Sequence, residues 1–339
     1  MTPRLRALPS ALRQNDLARR VEALTGEKLA AVDVALARYL HSPFIPVAEM
    51  GTYLAASRGK RIRPTLLLLA SRMLGYQGDK DVTYSAIFEL VHTASLIHDD
   101  IVDQALLRRS RASLNARYGS EMAVLMGDYV FTLALNLANR EGTGPILTVI
   151  SETTLNLVQG ELLQSHHKYD LTLSMEDYLE ILRCKTAQLF SACAQTPALM
   201  VEAPEEQRIA LAEFGKNIGL AFQIVDDCLD FNSDEATLGK PVCNDLKEGK
   251  ITLPILLLME GGATQDRAFL DAVVGARRFD SDTLREVVGR CRRAGTIRAA
   301  EEMAESYTRG AQGCLERLPE GEVRDLLSRL PEIVLHRKF

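Results

Sequence analysis

The chain has no tryptophan, and aromatic residues make up only 6% of it. Glycine and proline are scarce, at 22 and 12 of 339 residues, which argues against a low-complexity chain and favours long uninterrupted helices. The six cysteines (Cys184, Cys193, Cys228, Cys243, Cys291 and Cys314) form no CxxC pair and no zinc spacing. They read as small apolar side chains in a reducing compartment. No apolar run approaches the roughly 18 residues of a membrane span. Residues 1–15 contain Arg4, Arg6 and Arg13 but no continuous apolar stretch. They read as a flexible N-terminal extension and not as a signal peptide, so a cytoplasmic address is expected. There is no GxxxxGK[ST] phosphate loop, no GxGxxG fingerprint and no HExxH motif. The net charge is −5 with no basic stripe, so no nucleic-acid partner is expected.

What is present is 47% hydrophobic and 25% charged residues, the balance of a globular protein, and alanine and leucine dominate. Helical periodicity covers 16–40, 47–56, 82–107, 120–139, 145–167, 175–199, 205–230 and 252–260. The stretch 65–74 is nearly all apolar, as in a helix buried on most sides. Residues 261–282 look less regular, and helices resume over 283–337. No alternating strand pattern and no linker interrupts this. The expectation is an all-α fold: one large helical bundle forming a single domain over 1–339.

Two segments carry chemistry. In His98-Asp99-Asp100-Ile101-Val102-Asp103 the aspartates stand at i, i+1 and i+4, which places Asp99 and Asp103 on one helix face, one turn apart. Like charges at that spacing repel, and they follow an apolar helix. A cation between them removes the conflict, and magnesium binds through one or two carboxylates plus substrate phosphates. The pattern recurs at Asp226-Asp227-Cys228-Leu229-Asp230, again after an apolar helix. One such motif could be a solvated acidic face; two point to facing helices that hold metal for a polyanion. Cations cluster nearby: Lys60, Arg61 and Arg63 in a turn, Arg108 and Arg109, Lys185, then Lys240, Lys247 and Lys250. Arginine forks and lysine point charges suit diphosphate oxygens. His166 and His167 are adjacent, so they do not share a helix face and read as exposed or capping residues.

The blocks GKRIRP (59–64), LIHDDIVDQALLRRS (96–110), KTAQLF (185–190) and FQIVDDCLD with GKPVCNDLKEGKITLP (222–254) resemble, in order and spacing, the trans-polyprenyl (E-isoprenyl) diphosphate synthase family. The resemblance spans about residues 15–337. It implies the isoprenoid-synthase type of helical bundle with a central apolar cavity. It implies three magnesium ions, with Asp99 and Asp103 as ligands supported by Asp100, and Asp226 as ligand with Asp227 and Asp230 nearby. Lys60, Arg63, His92 and Arg109 resemble the residues that hold isopentenyl diphosphate. Arg108, Lys185, Thr186, Gln223, Lys240 and Lys250 resemble those that hold the allylic prenyl diphosphate. A homodimer is implied, with peripheral membrane association through the lipid product. Two positions depart from the family: Ser110 and Cys243 stand where glycine is usual, so altered loop geometry is expected there.

The implied chemistry is ionisation of the allylic diphosphate, attack by the isopentenyl double bond, and loss of a proton. Ala94 and Ser95, one turn before Asp99, are small where short-chain members tend to have aromatics. The floor of the cavity then looks open, and a long, octaprenyl-like product for a respiratory quinone is expected. The alternatives are a shorter-chain farnesyl or geranylgeranyl synthase, the catalytic subunit of a heteromer, a terpene cyclase, a non-catalytic partner subunit, or an inactive helical scaffold. The intact second aspartate motif and the GKRIRP block weigh against the last three.

Overall fold

The computed structural model describes residues 10–57, 59–232 and 243–335, and helices occupy most of them. In chain order these are α1 (Ser10–Tyr39), α2 (Ile45–Ala55), α3 (Ile62–Met73) and α4 (Lys80–Val102). A hairpin of β1 (Leu107–Arg108) and β2 (Arg111–Ala112) follows. Next come α5 (Leu114–Tyr118), α6 (Ser120–Glu141), α7 (Gly144–His166), α8 (Met175–Leu182), α9 (Gln188–Met200) and α10 (Glu205–Asn232). The chain then forms α11 (Asn244–Lys247), α12 (Leu253–Gly261), α13 (Thr264–Gly275), α14 (Ser281–Ala294), α15 (Thr296–Cys314) and α16 (Glu322–Leu335).

The buried helices are those with apolar residues on every side. Leu66 to Ala70 of α3 are all at most 3% exposed, as are Tyr84 to Phe88, Leu90 and Val91 of α4. Helix α4 is enclosed by α1, α3, α6, α7 and α9. Small residues let the neighbours approach. Gly127 of α6 lies under the His98 ring, so close that a Cβ would fall 2.3 Å from Nε2. Helix α10 joins two apolar clusters. Leu211, Phe214 and Ile218 belong to the one around α3, α4 and α9. Ile224, Cys228 and Phe231 belong to the one around α12, α14 and α15.

Several expectations need correction. Helix α1 begins at Ser10, inside the stretch expected to be a flexible extension. Helix α4 stops at Val102, not near 107. Gln104 turns into the left-handed region (φ 52°), the amide of Ala105 bonds to the carbonyl of Asp100, and that of Gln104 to Ile101. This is a Schellman stop built without glycine. Strands do exist, two residues each, too short for an alternation signal to register. The helix expected over 175–199 is present and continuous, with a π-turn at Arg183–Ala187 between α8 and α9, and the segment thought irregular contains α13. Among the described residues one helix, α6, is long and apolar enough to cross a membrane by length and composition, contrary to expectation. It packs against α4 through Ala123, Met126, Gly127 and Val130.

At the two positions where glycine is usual in the family, Ser110 has φ 61° and Cys243 has φ 56°, so at each a bulkier residue adopts the left-handed conformation that favours glycine. With Arg109 at φ 52°, Ser110 completes the tight turn of the β1–β2 hairpin.

Candidate active site

Two cavities adjoin the C-terminal half of α4. The larger, of about 340 Å³, is lined by Asp99 and Asp103 from α4, by Asp226 and Asp227 from α10, and by Lys185 and Thr186 from the π-turn. Lys250 and Asp245 close it from the segment after α10. Leu96, Ile181, Leu182 and Phe222 form its apolar wall. The aspartate motifs, 127 positions apart from Asp99 to Asp226 in sequence, therefore meet across one space. The π-turn widens the helix by one residue at Lys185-Thr186, as such bulges often do at functional sites. Gly160 and Gly219 give it room: a Cβ on either would lie 2.5–2.8 Å from Ala187, Cys184 or Lys185.

The aspartates divide by what they touch. Asp99 is partly buried, and its Oδ1 has no hydrogen-bond partner. Burial, then the neighbouring Glu161 carboxylate, push its pKa up to about 8. Asp103 accepts from Lys250 Nζ at 2.7 Å and lies 3.7 Å from Lys168. Asp226 is exposed to the cavity. Asp100, Asp227 and Asp230 also accept from protein donors. Asp100 takes the Arg108 fork at 2.9 and 2.5 Å. Asp227, raised by burial to about 7, accepts from Tyr178 Oη at 2.7 Å and Gln223 Nε2 at 3.0 Å. Asp230 accepts from the amides of Asn244 and Asp245 at the start of α11.

Thr186 donates to Gln223 Oε1 at 2.8 Å, so Thr186, Gln223, Asp227 and Tyr178 form one hydrogen-bonded chain. Lys185 is paired with Glu161 and Gln164 of α7. Burial opposes the charge of Lys250, but Asp103 and Glu248 outweigh it and hold its pKa above the ordinary range. The smaller cavity, of about 70 Å³, is lined by Arg61, Glu89, His92, Asp100, Arg108 and Arg109 among others. Arg63 Nη1 lies 3.1 Å from His92 Nε2. Arginine only donates, so that nitrogen accepts and the ring is neutral. Burial, then Arg63, lower the His92 pKa well below its usual value. Lys60 is exposed in the turn before α3 and lines neither cavity. Ser95 lines the larger cavity, whereas Ala94 is fully buried in the core. Lys240 lies outside the described residues.

Sequence reasoning did not single out Glu161, Gln164, Tyr178 or Asp245, all within the site. Asp245 is buried, with its pKa pushed up by burial and then by Asp230. No periodic signal marks them, because each acts through a partner distant in sequence. His167 caps α7 as expected, yet it also lines the cavity and pairs with Asp170 at 2.8 Å.

Among the described residues no three metal-favouring side chains converge closely enough to hold an ion by themselves. The donor set still fits a hard divalent ion. The carboxylates face one cavity, and the buried, unpartnered Oδ1 of Asp99 belongs to a carboxyl that resists ionisation until a cation offsets its charge. Magnesium completes such shells with substrate phosphates.

Residues 46–290 match the family model described as polyprenyl synthetase. The chain is 34% identical to octaprenyl diphosphate synthase of Escherichia coli (strain K12), over 94% of this chain and 98% of that protein. A decaprenyl diphosphate synthase from Rhodobacter capsulatus has a similar structure, with TM-score 0.89, 32% identity and coverage of 94% and 98%. So has a polyprenyl synthase from Caulobacter crescentus CB15 complexed with calcium and isoprenyl diphosphate, with TM-score 0.88, 31% identity and coverage of 94% and 97%. The chain belongs to the polyprenyl synthetase family, whose members use a divalent metal and share the all-helical isoprenoid-synthase fold. It is a polyprenyl diphosphate synthase, a prenyltransferase.

Proposed function

We propose that the chain condenses an allylic prenyl diphosphate repeatedly with isopentenyl diphosphate and releases an all-trans, octaprenyl-like product for a quinone side chain. It is a long-chain synthase, as are the octaprenyl and decaprenyl relatives it resembles. The observation that carries the reading is the meeting of Asp99, Asp103 and Asp226 with Lys185 and Lys250 at one cavity mouth above an apolar wall. Asp99, Asp103 and Asp226 hold magnesium, three ions when the site is full. Asp100, Asp227 and Asp230 act through the protein groups they bind. Bound magnesium supplies positive charge to the departing diphosphate.

Lys185, Thr186, Gln223, Arg108, Lys250 and Lys240 bind the allylic diphosphate. Lys185 and Lys250 now pair with Glu161 and with Asp103 and Glu248, so substrate binding exchanges carboxylate partners for phosphate oxygens. Lys60, Arg63, His92 and Arg109 bind isopentenyl diphosphate, the neutral His92 donating only through its other ring nitrogen. Leu96, Ile181, Leu182 and Phe222 keep water from the allylic cation. The released diphosphate takes the proton. A cavity of about 340 Å³ is at the low end for a small-molecule site, so room for a long tail must open along α4 past Ser95.

A second copy of the chain covers the adjoining helices α6 and α7, where Leu125, Leu155 and Leu162 are 56–67% exposed. The enzyme works in the cytoplasm and meets the membrane through its product. Purified protein given magnesium and both diphosphates tests this. Sedimentation as a dimer and a product of about forty carbons by mass are expected, with Asp226→Ala slower by orders of magnitude. A cyclised hydrocarbon, or near-normal turnover of folded Asp226→Ala, refutes the reading.

A further inference from the structure

Arg61 stands between Lys60 and Arg63 in sequence, yet its side chain does something different. It caps α3 in the left-handed region, with φ 51° and ψ 35°, a conformation a non-glycine residue holds only when its surroundings fix it. Those surroundings are two carboxylates on two other helices. Nε donates to Asp33 Oδ1 of α1 at 2.9 Å, and Nη2 lies 2.9 Å from the same oxygen. Nη1 donates to Glu89 Oε2 of α4 at 2.5 Å. Glu89 is 5% exposed and Arg61's side chain 15%. The backbone oxygen of Arg61 also accepts from the Thr65 hydroxyl at 2.7 Å.

This ion triad sits beside a crowd of positive charge. Arg61, Glu89, His92, Arg108 and Arg109 line the smaller cavity together. Gly59 lies against the Arg109 guanidinium, where a Cβ would fall 2.7 Å from Nη2. Arg109 Nη1 in turn donates to the carbonyl of Ser57 at 2.9 Å. A buried carboxylate beside a diphosphate pocket opposes an anion unless it is engaged elsewhere. The Arg61 fork engages Glu89, and Glu89 in turn favours the charged form of Arg109, whose pKa burial lowers.

We infer that Arg61 is a positioning residue: anchored by Asp33 and Glu89, it fixes the turn at residues 59–61 so that Lys60, Arg63 and Arg109 present their charges to isopentenyl diphosphate. The inference rests on the assignment of that pocket above. Arg61 does not itself need to touch the substrate, since its charge is already matched by the two carboxylates.

The test varies each substrate in turn for Asp33→Asn, Arg61→Gln, Arg61→Lys and, as a report on the pocket itself, Lys60→Ala. Asp33 lies outside the lining of either cavity, so an effect there travels through the turn. Arg61→Gln is expected to raise KM for isopentenyl diphosphate about tenfold or more, as loss of charge-assisted bonds does. Asp33→Asn raises it less, and Arg61→Lys restores part of the loss. KM for the allylic substrate stays within about twofold in all three, on the same scale of energies. Unchanged kinetics with a lower melting temperature would make the triad purely structural and overturn the inference. So would equal rises in both KM values, or a fall in kcat alone. If Arg61→Gln does not fold, Asp33→Asn decides by the same criteria. If Lys60→Ala leaves KM for isopentenyl diphosphate unchanged, the pocket assignment fails first, and the separate role of Arg61 fails with it.

Discussion

Substituting Ser95 by phenylalanine tests how the fold sets product length. Asp99 and Ser95 are four residues apart on α4, about 6 Å along its axis at 1.5 Å per residue. A tail whose diphosphate is held at Asp99 and Asp103 therefore meets residue 95 after its first few isoprene units. Ser95 lines the cavity, and its hydroxyl donates only to the carbonyl of His92, at 2.9 Å. Losing that bond costs about 1 kcal/mol, and the new ring enters open space. The neighbouring Ala94 is a poorer probe. It is 0% exposed within the main core, so a phenylalanine there overpacks a filled region, at a cost of about 1–3 kcal/mol or more. Ser95→Phe should fold normally, complete the first condensation, and shift the product from about forty carbons to about fifteen or twenty, from the same axial rise. Mass analysis of dephosphorylated products from both enzymes decides it. Unchanged length would place the limiting wall on another helix. Loss of the first condensation would mean that the tail does not follow α4.

Two further outcomes follow from the geometry. His92 has its pKa lowered well below 6.5 in the fold, by burial and then by Arg63, so the unfolded chain binds a proton there that the native one does not. Stability should fall as pH drops below about 6.5, by up to about 1.4 kcal/mol per pH unit. Denaturant unfolding should show a shallower slope in His92→Gln, and an identical slope would refute the neutral assignment. Ser110→Gly should relieve the left-handed strain at φ 61°. That strain is about 1–2 kcal/mol and is partly offset by the entropy of a new glycine, which leaves a gain of about 0.5–1 kcal/mol. An unchanged or lower midpoint would show that the turn is not strained.

The helices were legible because their apolar residues repeat at helical spacing, and α3 announced its burial by being nearly all apolar. The paired aspartates were legible because carboxylates one turn apart in an apolar helix have few explanations other than a cation. The stop of α4 at Val102 was not, since Gln104 takes a conformation usually signalled by glycine. The π-turn at Lys185 was not either, because one added residue shifts the register without changing composition.

By itself, then, the sequence determined the all-helical class, the two acidic motifs and most of the cations, all of which are properties of spacing within single segments. Only the tertiary structure decided that Asp99, Asp103, Asp226 and Asp227 line one cavity and that Asp100, Asp227 and Asp230 are tied to Arg108, Tyr178 and the start of α11. It alone brought Lys250 to Asp103, Glu161 to Lys185, and Arg61 to Asp33 and Glu89. Those pairings depend on how helices far apart in the chain pack against each other, and no local periodicity encodes the partner that a charged side chain meets across a bundle.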